Sequence, residues 1–119
     1  PISIFFCVPP EHLNVYAPVM RLFFGQAIKA MSRNKERRPK LPVTFILDEF
    51  PQLGRMEPIQ NGLSYLAGFG VRLWLFVQNL GQLRAIYGHD NAESFFANCG
   101  CRVFFGTNDV DTAKKVVVP

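Results

Sequence analysis

Charged residues are scarce, at 18% of 119, while hydrophobic residues reach 49% and aromatics 13%. That balance excludes a disordered tail and leaves enough apolar material for a packed interior. Cysteine is limited to Cys7, Cys99 and Cys101, and histidine to His12 and His89. An odd cysteine count, with two of the three only two positions apart, is neither a disulfide framework nor a zinc pattern. All three are expected as buried free thiols in a reducing compartment. No apolar run approaches the ~18 residues of a membrane helix, and the first residues lack the basic-then-apolar layout of a secretory signal. Nothing in this stretch is expected to span a membrane. Internal repeats are absent, and at roughly 100 to 200 residues per domain the length allows one domain or part of one.

Basic character is also absent from most of the chain. The net charge of +4 is concentrated between Lys29 and Lys40, where six basic residues (Lys29, Arg33, Lys35, Arg37, Arg38 and Lys40) meet one acid, Glu36, for a local +5. The other 107 residues hold seven basic and eight acidic residues, a net −1. Such a patch is either a solvated loop or a nucleic-acid contact through Lys35, Arg37, Arg38 and Lys40. It lies in Ser32 to Pro42, SRNKERRPKLP, the one obvious linker or exposed loop.

Four short apolar runs, Ile2 to Val8, Val43 to Phe50, Val71 to Gln78 and Cys101 to Thr107, are rich in Val, Ile, Phe or Trp and end in polar, Pro or Gly residues. They read as strands covered on both faces. Helical spacing lies between them. Tyr16, Val19, Met20, Phe23, Ala27 and Met31 share one side of a helix from about Pro18 to Arg33. Met56, Ile59, Leu63 and Leu66 mark a second, with Pro58 near its start and Gly68 and Gly70 at its end. Leu80, Leu83 and Ile86 mark a third that Gly88 can close, and Asn91 can cap a fourth over Ala92 to Asn98. The last segment has Asp109 and Asp111 at its start and Lys114 and Lys115 near its end, as a helix dipole favours. Alternating strands and helices predict an α/β fold, mostly a parallel sheet with helices on both faces.

The run VTFILDEF is the strongest chemical signal. It puts Asp48 and Glu49 at the carboxyl end of a parallel strand, where open α/β sheets bind ligands. Asp48 can hold the water shell of a magnesium ion, while Glu49 can orient or deprotonate an attacking water. This is the Walker B arrangement of nucleotide hydrolases; the alternative is a pair of acids that cap the next turn. Gln78 and Asn79 end the next strand, about thirty residues later. If the two strands are neighbours, the Gln78 amide reaches the same rim and can donate to a phosphate oxygen and accept from a water. Otherwise Gln78 and Asn79 simply cap the following helix.

The stretch from Phe45 to Gly88, with DEFPQLG, then GFG, then QN-L-QL in order, resembles the TraG/TraD family of type IV secretion coupling proteins, the DNA-translocating ATPases of bacterial conjugation. Ile2 to Leu13 resembles the family's strand before Walker B, and Glu93 to Val116 the segment after the sensor strand. Asn79 departs from the family, where Asp or Ser is common. The resemblance implies a RecA-like P-loop NTPase fold, with Asp48 as the magnesium residue, Glu49 as the catalytic base, and Gln78 as the residue sensing the γ-phosphate. ATP and magnesium would be the cofactors. It further implies a homo-hexameric ring at the cytoplasmic face of the inner membrane, with single-stranded DNA, relaxosome proteins and the secretion channel as partners. Membrane contact would come through regions outside this chain.

No G-x-x-x-x-G-K-[ST] is present, nor any Gly-Lys pair, so the groups that cradle the β- and γ-phosphates are absent. Residues 1–119 are therefore expected to be the carboxyl-terminal part of one nucleotide-binding domain, an incomplete fold with the phosphate-loop strand missing and no activity alone. The family's strand order then puts the Ile2, Val43 and Val71 strands side by side, with a gap before Cys101. The competing role is a non-catalytic module that recognises relaxosome or accessory proteins. Arg55, Arg72 and Arg84 remain open candidates for an arginine finger.

Overall fold

The computed structural model describes residues 1–33 and 35–117, with the side chains of Lys35 and Val117 outside the description. Two strands, β1 (Val43–Leu47) and β2 (Val71–Leu75), form a parallel pair in which Val43 faces Val71 and Leu47 faces Leu75. The ladder continues at its carboxyl end, where Phe76 N–H donates to Leu47 O at 3.1 Å and Phe50 N–H to Phe76 O at 3.0 Å. Among the described residues the α-helices are α1 (Leu13–Met31), α2 (Glu57–Gly62), α3 (Leu80–Tyr87), α4 (His89–Ala97) and α5 (Val110–Val117). The crossover from β1 to β2 runs through a 3-10 turn at Phe50–Leu53, α2 and a second 3-10 turn at Leu66–Phe69. Gly70 then takes a left-handed φ of 78°, which a side chain would disfavour, and its carbonyl accepts from Val43 N–H at 2.8 Å.

The core lies on one side of the sheet. Met20 and Ile28 of α1 pack with Leu47, Phe50, Ile59, Leu66, Val71, Leu83, Tyr87 and Phe95 in one cluster, against which Phe45, Leu73 and Leu75 are half-buried. The other face is bare, with Ile46 64% and Trp74 59% exposed. The helices expected on both faces thus cover one only.

The runs Ile2 to Val8 and Cys101 to Thr107 are not strands. Among the described residues no backbone hydrogen bond joins either to the sheet, and Ile2 and Phe105 are 90% and 80% exposed. Ring contacts hold them instead: Phe6 lies 4.9 Å from Phe23, and Phe104 lies 5.9 Å from Phe96. Their composition suits a strand, but a strand forms only when paired, and among the described residues neither run hydrogen-bonds to the open outer edge of β1 or β2. The expected adjacency of the Val43 and Val71 strands is observed; the places expected for the Ile2 and Cys101 runs in the sheet are not. A cavity of about 230 Å³, lined by Leu75, Val77, Phe95 and Phe104 among others, separates the Cys101 run from the end of β2.

Helix α1 begins five residues before Pro18, which therefore sits inside it. The inward stripe is Ala17, Met20 and Ile28, which are buried, with Leu13, Phe24 and Met31 half-buried beside them, while Tyr16, Val19 and Phe23 of the expected stripe are exposed. The helix is apolar on most sides, so two stripes satisfied the same periodicity. Helix α4 starts at His89, and Asn91, rather than capping it, donates from Nδ2 to Tyr87 O at 2.9 Å, a carbonyl freed by the end of α3. Gly88 closes α3 as expected, at φ 83°. Cys7, Cys99 and Cys101 are free, but Cys7 and Cys101 are exposed because their segments join no sheet. Cys99 is half-buried, and burial raises its pKa.

Candidate functional site

Strand β1 delivers Asp48 and Glu49 to the carboxyl end of the sheet, and β2 delivers Gln78 three residues beyond its own end. Glu49 adopts a left-handed backbone, φ 51° and ψ 44°. The turn is fixed on both sides: Asp48 Oδ1 accepts from Glu49 N–H at 3.1 Å, Glu49 O accepts from Gln52 N–H at 2.9 Å, and Phe50 is fully buried. Phe50 stacks on Tyr87, with 12° between the ring planes, and packs 5.7 Å from Phe95. Tyr87 in turn accepts from the buried Met56 N–H at 2.9 Å, closing the far end of the same loop. Burial raises the Tyr87 pKa, so its hydroxyl stays protonated at neutral pH.

The side chains meet at this rim. Gln78 Nε2 donates to Glu49 Oε1 at 3.2 Å, and Oε2 lies 3.4 Å away. Asn79, not Gln78, caps α3, its Oδ1 accepting from Gln82 N–H at 3.0 Å, while Gln82 Oε1 accepts from Gln78 N–H at 3.1 Å. The two readings of the Gln-Asn pair therefore divide between its members. Among the described residues no ion pair reaches Asp48 or Glu49, so two negative charges face the solvent side of the rim.

Among the described residues no cluster of three or more His, Cys, Asp or Glu could hold a metal ion. One or two carboxylates is nevertheless the donor set magnesium uses when phosphates and waters supply its other ligands. The rim therefore fits magnesium carried with a nucleotide better than a resident metal cage.

The basic segment lies elsewhere. Pro39 packs against Gly70, and Arg33, Arg37 and Pro39 line a shallow depression with Val43, at the amino ends of the strands. Five strand residues separate the two ends by about 16 Å, so Arg37, Arg38 and Lys40 do not join Asp48, Glu49 and Gln78. Arg37, Arg38 and Lys40 are exposed, and the Lys35 side chain falls outside the described residues. Of the arginine-finger candidates, Arg84 is paired with Glu93 at 3.2 Å and Asp111 at 3.1 Å, Arg55 lies 3.8 Å from Glu57, and Arg72 is exposed on the bare sheet face.

One contact near the rim escaped the sequence reading. Thr112 of α5 is buried, and its Oγ1 accepts from Leu80 N–H at 3.2 Å. The sequence carried half of that signal: Asp109 caps α5 by accepting from Thr112 N–H at 2.8 Å, as the acids before the helix suggested.

The family model for type IV secretory system conjugative DNA transfer matches residues 1–117. The chain is 37% identical to the protein VirD4 of Agrobacterium fabrum, over 92% of this chain and 16% of that protein. It is 30% identical to the conjugal transfer protein TraG of Escherichia coli, over 98% and 20%, and 31% identical to the type IV secretion system-coupling protein VirD4 of Bartonella quintana, over 96% and 18%. The chain thus spans a fifth or less of the length of these relatives. No solved structure gives a significant match. Among the described residues no helix is long and apolar enough to cross a membrane. With the family model covering nearly every residue and proteins of both the VirD4 and TraG kinds aligned along it, the chain belongs to the conjugative DNA-transfer family of type IV secretion coupling proteins.

Proposed function

We propose that residues 1–119 are the carboxyl-terminal part of a RecA-like motor domain in an ATP-driven coupling protein, which delivers DNA and protein substrates to a type IV secretion channel. The contact between Gln78 and Glu49, at the carboxyl ends of two neighbouring parallel strands, is the observation that carries this reading. Walker B acids and a sensor amide need this juxtaposition, and two acids that merely capped a turn would not.

The chemistry follows from the groups at the rim. When bound, ATP would supply the phosphoanhydride and its magnesium would offset the charge on the phosphate oxygens. Asp48 is free to bind the metal's water shell. Glu49, held beside Gln78, is placed to accept a proton from the attacking water. Gln78 gives one amide N–H to Glu49 and keeps its second N–H and its carbonyl for a γ-phosphate oxygen and the water. The phosphate loop must come from another stretch of the same protein. In this reading the intact protein is a homo-hexamer at the cytoplasmic face of the inner membrane, with single-stranded DNA and relaxosome proteins as partners.

In the intact coupling protein, Glu49→Gln should abolish ATP turnover yet leave ATP binding largely intact, whereas Asp48→Ala should also weaken magnesium-dependent binding. A Glu49→Gln protein that hydrolyses ATP at the normal rate would end this reading. If the intact protein carries no phosphate loop, the segment is instead an interaction module for relaxosome or accessory proteins.

A further inference from the structure

The first turn of any α-helix leaves N–H groups with no partner inside the helix. In α3 these belong to the residues that directly follow Gln78. Asn79 satisfies Gln82 N–H, but Leu80 N–H is buried and finds its acceptor on a different element, Thr112 Oγ1, 32 residues along the chain. Because the amide can only donate, the hydroxyl must send its own proton elsewhere. Asp109 Oδ2 takes it at 2.6 Å, and the same oxygen accepts Thr112 N–H at 2.8 Å. Both hydrogen bonds favour the ionised carboxylate and hold the Asp109 pKa below the ordinary aspartate value.

Helix α5 reaches this position without help from the sheet, since the run before it pairs with no strand. Two ion pairs set its place: Arg84 to Asp111 at 3.1 Å, and Lys115 to Glu93, which Arg84 also grips. The arrangement therefore runs from α5, through one hydroxyl, to the turn that carries Gln78. The Gln78 side chain is exposed and reaches Glu49 through a single amide nitrogen. Among the described residues no other hydrogen bond holds its side chain, so its aim depends on where the backbone of Gln78 to Leu80 is held.

We infer that Thr112 is a positioning residue for Gln78: its hydroxyl, oriented by Asp109, holds the start of α3 so that the Gln78 amide meets the Glu49 carboxylate. The inference rests on the ATPase reading above. Misplacing a reacting group by about 1 Å can cost up to about a hundredfold in rate, and loss of one tether at the turn is a partial misplacement.

The test is steady-state ATP hydrolysis by the intact coupling protein, comparing Thr112→Val, Thr112→Ser and Glu49→Gln, with ATP binding and thermal unfolding measured alongside. Thr112→Val keeps the shape and removes the hydroxyl; kcat should fall about tenfold while KM for ATP and the unfolding transition stay near their starting values. Thr112→Ser restores the hydroxyl and should restore most of kcat. If Glu49→Gln keeps full turnover, the ATPase reading falls and this inference with it. If Glu49→Gln is inactive but Thr112→Val keeps full kcat, the positioning role alone is refuted. A Thr112→Val protein that loses ATP binding or its folded state together with kcat, or a Thr112→Ser protein no better than Thr112→Val, likewise overturns it, because the residue is then structural.

Discussion

Alanine normally stabilises a chain relative to glycine, and at position 49 the order should reverse. Glu49 is the one non-glycine residue with positive φ among the described residues. A left-handed conformation costs an L residue roughly 1–2 kcal/mol, while glycine avoids that cost but loses about 0.5–1 kcal/mol in extra chain entropy. The difference leaves Glu49→Gly ahead of Glu49→Ala by about 0.5–1 kcal/mol, or roughly two- to fivefold in the local opening equilibrium. Both variants lose the carboxylate and its contact with Gln78, so that loss cancels and the backbone term stands alone. The reporters are the amides of Phe50 and Gln52, which donate to Phe76 O and Glu49 O across the turn. Hydrogen exchange by mass spectrometry on the intact protein should show the peptide spanning residues 48–54 exchanging about two to five times more slowly in Glu49→Gly, after correction for intrinsic rates. Equal protection, or better protection in Glu49→Ala, would refute the strained turn. Neither variant should hydrolyse ATP, which is the expected trade where strain is kept for function.

Tyr87→Phe keeps the rings stacked on Phe50 but leaves the buried Met56 N–H without its acceptor, and should cost about 1–3 kcal/mol in equilibrium unfolding; an unchanged midpoint would contradict that. Asp109 and Glu93 have pKa values depressed below the ordinary 3.8 and 4.5, chiefly by hydrogen bonds from Thr112 and Lys115. Their contribution to docking α5 is therefore complete above those ordinary values and is lost as the pH falls through the lower folded ones. Protection of the α5 amides should drop across that acidic window, and a flat profile would refute the coupling. Neutralising Lys35, Arg37, Arg38 and Lys40 together should flatten the salt dependence of single-strand binding if the segment touches nucleic acid, whereas an unchanged slope leaves it a solvated loop.

The rim was legible because its signals are local: a β-branched and aromatic run that stops at Asp48 and Glu49, and a second that stops at Gln78, need only be neighbours to bring the three residues together. Their pairing was inferable because one short crossover joins them. The runs at Ile2 and Cys101 carry the same local signal, but strand pairing is non-local, and neither run meets a sheet edge. Helix α1 shows a different limit. With Val19 56% exposed and Met20 buried, adjacent residues on a largely apolar helix differ in burial, and spacing alone did not choose between them. Thr112 was hidden for a third reason: a hydroxyl that caps a helix 32 positions away leaves no pattern in its own neighbourhood, although the Asp109 cap that orients it was readable.

ATP hydrolysis and ATP binding by a Gln78→Ala variant of the intact coupling protein test most directly whether Glu49 and Gln78 form one nucleotide site. Removing the amide should lower kcat by about a hundredfold or more and leave the Kd for ATP within about threefold, because the group acts on the water and the reacting phosphate more than on the bound nucleotide. A Gln78→Ala protein with unchanged kcat would show that the 3.2 Å contact with Glu49 is a surface hydrogen bond and no part of a catalytic rim.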